Sequence, residues 1–175
     1  EGVQPQTRVL MRALQRLHVP TLVFVNKIDR AGADDERVVQ AISGRLTPAI
    51  VPLGSVRGLG SRAADFGLSG ADDADFAARL ASVLTEQDDG LLAAYVDDES
   101  SLPYSRLRAE LAAQTGRALV HPVLFGSALT GAGIGSVLAT IAELLPAAEG
   151  DGDGPVAGTV FKIERGAAGV PEFVL

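Results

Sequence analysis

The chain has 175 residues, enough for one domain or for one domain with part of a second. With 47% hydrophobic and 21% charged residues it is globular rather than disordered, and no apolar run approaches the roughly 18 residues of a membrane span. A formal net charge of −7 disfavours a general nucleic-acid surface, and the lack of cysteine excludes disulfides and thiolate chemistry.

Lysine occurs only at Lys27 and Lys162, so any lysine-dependent chemistry must use one of these two. The acidity is local. Residues 65–110 hold 11 acidic and 3 basic side chains, which leaves the rest of the chain close to neutral.

In chain order, Leu10, Leu14 and Leu17 recur at helical spacing, and Pro20 closes that helix. Thr21-Leu22-Val23-Phe24-Val25 is a β-rich apolar run too short for a helix and reads as a buried parallel strand. Asn26, Lys27 and Asp29 follow at once, at the carboxyl edge where open α/β sheets bind ligands. Asp34 or Asp35 would cap a second helix bearing Val38, Ile42 and Leu46. From Thr47 to about Gly70 the chain is rich in Pro, Gly and Ser and shows little periodicity. Three helices are then expected, marked by Phe76, Leu80 and Leu84, by Leu91, Leu92 and Tyr95, and by Leu107 and Leu111. This acidic stretch reads as an insertion between core elements.

The core pattern resumes at His121-Pro122-Val123-Leu124-Phe125, a second strand followed by the loop Gly126-Ser127-Ala128. Ile134, Val137, Leu138, Ile141, Leu144 and Leu145 trace one apolar helix face, ended by Pro146. The Gly- and Asp-rich residues 147–155 form a linker. Residues 156–164 and 170–175 read as two further strands, the second running to the last residue, so the chain is expected to be part of something longer.

The chemistry centres on Asn26-Lys27-Ile28-Asp29. Guanine carries donors at N1 and the exocyclic N2, and an ionised Asp29 carboxylate could accept both. Adenine lacks the N2 donor and would leave that carboxylate unpaired; such pairs can discriminate by ~10⁴-fold or more. The Asn26 amide could donate to the acceptor edge and brace neighbouring loops, and the Lys27 stem could pack along the base. Asn and Asp after a strand are also ordinary turn and capping residues, which is the competing reading. The small Ala128 beside Ser127 would let a backbone N–H approach guanine O6.

These residues, with Arg30-Ala31-Gly32-Ala33-Asp34, Gly126-Ser127-Ala128 and the opening Glu1-Gly2-Val3-Gln4-Pro5-Gln6-Thr7, resemble translational GTPases of the elongation factor G type. More narrowly, the chain looks like the tetracycline-resistance ribosomal protection proteins over essentially its whole length. The resemblance implies an α/β fold: the C-terminal half of a P-loop-type GTPase domain (1–146) with a helical insertion (47–119), then the first strands of a β-barrel domain (156–175). It implies that Asn26, Lys27 and Asp29 are the guanine-specificity motif, supported by Ser127 and Ala128. It also implies GTP or GDP as ligand, a cytoplasmic location, the ribosome as partner, and docking of the acidic insertion to a ribosomal stalk protein. The bland reading of that insertion is a solvated surface.

The family's phosphate loop, magnesium-binding threonine and Asp-x-x-Gly switch have no equivalent in the sequence. The chain alone is therefore expected not to hydrolyse GTP, with Mg²⁺ held in the intact protein by residues outside it. Elongation factor G itself, or a non-catalytic guanine-binding module, is the alternative. Gly126 and Gly131 match phosphate-loop spacing, but Ala132 and Gly133 stand where Lys and Ser or Thr are needed. His18 and His121 read as partly exposed residues without a catalytic role, and Asp97-Asp98-Glu99 as a solvated turn.

Overall fold

The apolar run before Asn26 folds in the computed structural model as the short strand β1 (Val23–Val25). The structure describes residues 2–97, 102–147, 153–155, 158, 160, 162–165 and 171–174. Ahead of β1 lies α1 (Pro5–Arg16), whose proline occupies the first turn, where a missing N–H costs nothing. After β1 comes α2 (Asp35–Arg45). Asp34 caps it by accepting the Arg37 N–H at 2.9 Å, and Asp35, Glu36 and Arg45 complement the helix dipole.

Residues 47–70, expected to be irregular, instead hold β2 (Ile50–Pro52), β3 (Gly54–Arg57) and β4 (Asp65–Leu68). The acidic segment forms α3 (Ala74–Thr85), α4 (Asp89–Asp97) and α5 (Tyr104–Gly116). Next are β5 (His121–Phe125) and α6 (Ile134–Leu144), and finally β6 (Lys162–Arg165) and β7 (Pro171–Val174). Asp73 caps α3 by accepting the Phe76 N–H at 2.8 Å; that bond, with one from Ser69, holds its carboxyl below the usual range.

Three parallel strands form the central sheet in the order β1-β5-β2, with Val25 opposite Phe125 and Ile50 opposite His121. Every residue of β5 is buried, as expected for a middle strand covered on both faces. The stretch that starts at Thr47 therefore does not leave the sheet: β2 extends it before β3 and β4 pair as an antiparallel hairpin. The segment is mixed α and β rather than purely helical. One apolar cluster joins Val123 and Leu124 of the sheet to Phe66, Phe76, Leu80, Leu84, Leu107 and Leu111, so the acidic segment shares the core.

Two helix faces differ from their sequence patterns. In α1 the buried residue is Met11, while Leu10 and Leu17 are 56% and 67% exposed. In α6 the inward side carries Thr140 and Leu144, and Ile134, Leu138 and Ile141 are exposed, so the expected single apolar face is two. β6 and β7 form an antiparallel pair, and residues 156, 157, 159 and 161 of the strand expected ahead of Lys162 lie outside the described residues. Residues 148–152 of the expected linker, and 166–170, lie outside the described residues.

Candidate guanine-binding site

Because β1 and β5 are parallel neighbours, the loops that leave their carboxyl ends emerge side by side. The Gly126 N–H donates to Val25 O at 3.0 Å and the Ile28 N–H to Gly126 O at 3.2 Å, so the pairing continues into both loops. Lys27 has a φ of +73°, a left-handed conformation that is uncommon for a residue with a side chain. This kink lets Asn26 and Lys27 stay exposed and Asp29 half-buried, while Ile28 between them is 2% exposed.

Asn26 Oδ1 accepts the Lys27 N–H at 2.7 Å and, from the other loop, the Ala128 N–H at 3.0 Å. One side chain thus stabilises the kink and ties the loops together. The Ala128 N–H, expected to face guanine O6, is in this structure engaged by Asn26. Ser127 is buried, and its Oγ accepts the N–H groups of Leu129 and Thr130 at 3.2 Å each. Its role here is to shape the loop.

Glycine is required twice in this second loop. A Cβ on Gly126 would collide with Ala132 O and the Phe24 ring, and one on Gly133 with Phe125 O. Gly133, at φ +76°, also opens α6. The decoy phosphate loop closes on itself: Gly131 donates to Ser127 O at 2.8 Å and Ser127 to Ala132 O at 2.9 Å.

A groove of about 470 Å³ runs along the outer side of β1 between the start of α1 and α2. Asn26 and Lys27 reach its wall, but Asp29, Ser127 and Ala128 do not line it, so it takes in two of the five expected residues. His121 corrects the expectation of partial exposure. It is 1% exposed at the opposite end of β5, within 3.4 Å of Thr21 O, and burial lowers its pKa below 6.5. Asp97 ends α4, and Asp98 and Glu99 lie outside the described residues.

Residues 1–147 match the family model described as the elongation factor Tu GTP binding domain. The chain belongs to that family. This GTP-binding-domain chain is 53% identical over 170 residues to the oxytetracycline resistance protein of Streptomyces rimosus, covering 97% of itself and 26% of that protein. It is 41% identical to the tetracycline resistance protein TetM of Streptomyces lividans, with the same coverages. The chain thus spans about a quarter of the length of these curated relatives. Their names bear out the resemblance to tetracycline-resistance proteins. A crystal structure from Thermus thermophilus aligns with a TM-score of 0.67 over 83% of this chain and 25% of that one; at 22% identity, this is a likeness of fold.

The sequence missed the part that β3 and β4 take in this region. Phe66 of β4 lies against Phe125 with ring centroids 5.9 Å apart, directly below the Ser127 loop. Nothing in the periodicity of residues 47–70 signalled that contact.

Proposed function

We propose that this chain is the guanine-recognising part of a GTP-dependent ribosomal protection factor, which confers tetracycline resistance by releasing the drug from the ribosome. The observation that carries the reading is the Asn26 bridge, which brings the Lys27–Asp29 loop and the Ser127–Ala128 loop to one edge of the sheet. In this reading Asp29 accepts guanine N1–H and N2–H, the Lys27 stem covers the base, and Asn26 holds the two loops in register. The resistance names of the similar proteins support the biological role. A cytoplasmic site of action accompanies it, and no described helix is long and apolar enough to cross a membrane.

The finer assignments belong to the same proposal. Residues 1–146 are the C-terminal half of the GTPase domain, with the family-specific segment 47–119, whose β2 belongs to the central sheet, taking the ribosomal stalk as partner, and 156–175 are the start of a β-barrel. Phosphate and Mg²⁺ ligands lie outside the chain. Mg²⁺ would neutralise charge on the transferred phosphoryl group. Within the chain, the N–H groups of residues 126–131 are all engaged within the protein, by Val25, Ala132, Asn26 and Ser127, which supports an inactive fragment. Elongation factor G is the second reading, favoured by the elongation-factor family match.

Calorimetry with GDP, comparing the native protein with Asp29→Asn, tests the base assignment. Loss of about 3 kcal/mol or more of binding free energy is expected from unpairing a charge-assisted donor set. Indifference to the substitution would remove it. Translation in the presence of tetracycline, with and without the full-length protein, separates protection from translocation.

A further inference from the structure

The short loop that joins β3 to β4, residues 58–64, does more than close a hairpin. Its Gly60 N–H donates to the Ile28 carbonyl at 2.8 Å, across 32 residues of chain and inside the guanine motif. We propose that this turn is a positioning element for base recognition, holding the Ile28–Asp29 peptide so that the Asp29 carboxylate meets the purine. The proposal rests on the guanine reading of Asp29 and adds to it a group outside both motif loops.

Ile28 is fixed from three directions. Its N–H donates to Gly126 O, its carbonyl accepts from Gly60, and its side chain lies in the core at 2% exposure. The carbonyl of Ile28 and the N–H of Asp29 share one rigid peptide plane, so pinning the oxygen sets the direction in which Asp29 leaves the loop. The neighbouring Lys27 sits in a left-handed conformation that a free loop would leave readily. A kinked segment of this kind persists only when its surroundings over-determine it.

The turn is itself a built feature. Gly58 and Gly60 have φ of +63° and +81°, the region that favours glycine. The Ser61 side chain donates to Gly58 O at 2.7 Å, and Ala64 N–H to Ser61 O at 3.0 Å, closing a compact loop. A Cβ on Gly60 would stand 3.7 Å from Arg30 O and 3.9 Å from Gly32 N, so the turn runs backbone to backbone along the segment that follows Asp29. Leu59 packs on the core beside it, and near the start of β4 Phe66 rests on Phe125. The hairpin therefore touches the strand ends that carry both loops of the site.

The test compares GDP with inosine diphosphate, which lacks the exocyclic N2 donor, in the full-length protein. A packing defect would weaken both ligands alike, whereas a misaimed Asp29 erodes the preference for GDP. Replacing residues 58–64 by Asn-Gly keeps a hairpin between Arg57 and Asp65 but removes the latch. The preference is expected to fall about tenfold, with inosine diphosphate, which keeps only the N1–H donor, losing less affinity than GDP. Leu59→Ser, which loosens the turn without shortening it, should move the preference the same way, and Leu59→Met should restore it; this pair decides the matter if the shortened hairpin does not fold. An unchanged preference in a folded variant overturns the proposal. Asp29→Ala is the control: if the native protein shows no preference, or Asp29→Ala retains it, the guanine reading fails and the latch falls with it.

Discussion

Asn26, Lys27 and Asp29 present exposed or half-buried polar side chains at the end of β1, whereas at the matching place on β5 Ser127 is buried and, among the described residues, bonds within its own loop. The first loop offers side-chain chemistry. The second offers backbone geometry enforced by two glycines. On the proposed reading the labour is divided: one loop would supply the groups that read the base, and the other supplies a rigid rest against which the first is set. Substitutions should accordingly separate into those that lower stability and those that lower recognition.

The strongest way to break this contrast is Gly133→Ala. The added Cβ meets Phe125 O at a positive φ, so a loss of about 3 kcal/mol or more is expected in denaturant unfolding. A loss under about 1 kcal/mol would show that the β5 loop is plastic. Ser127→Ala comes next, since it strips one acceptor from two N–H groups; about 2 kcal/mol of stability should go, with the GDP-over-inosine diphosphate preference retained in whatever protein remains folded. Lys27→Gly sharpens the contrast from the other side. Relief of the φ of +73° should raise stability by about 0.5–1 kcal/mol while nucleotide affinity falls, because the aliphatic stem is gone. A protein both less stable and unchanged in binding would reverse the assignment of that residue.

The smallest expected effect is a pH slope far from the site. Burial lowers the His121 pKa below 6.5, so between the folded value and 6.5 the unfolded chain binds more protons than the native one. Stability from this group is complete above pH 6.5 and declines as the pH falls below it. Melting temperatures of the native chain and of His121→Gln, compared from pH 7.5 to 5, should diverge least at the acidic end. Parallel curves would mean that His121 does not titrate differently on folding.

The two strands bearing the site were legible in the sequence because each combines a short apolar run with an abrupt polar end. The α2 cap was legible too, since an Asp before an apolar repeat has few other uses. β2 was not, because Ile50-Val51-Pro52 is three residues long and itself ends in a proline, too brief to show a period. The leucines of α1 and the outer side of α6 misled for a different reason: periodicity reveals that a helix has an apolar face but not which residues of it meet the core. The latch at Gly60 was invisible because a backbone-to-backbone hydrogen bond between distant segments leaves only a glycine as its trace.

The order β1-β5-β2 places the two loops on strands of unequal protection. β5 shares backbone hydrogen bonds with a neighbour on each side, whereas among the described residues β1 has one only. Amide hydrogen exchange should therefore be slowest at Val123 and Leu124 and faster at Val23 and Phe24, with local opening beginning on the Asn26 side.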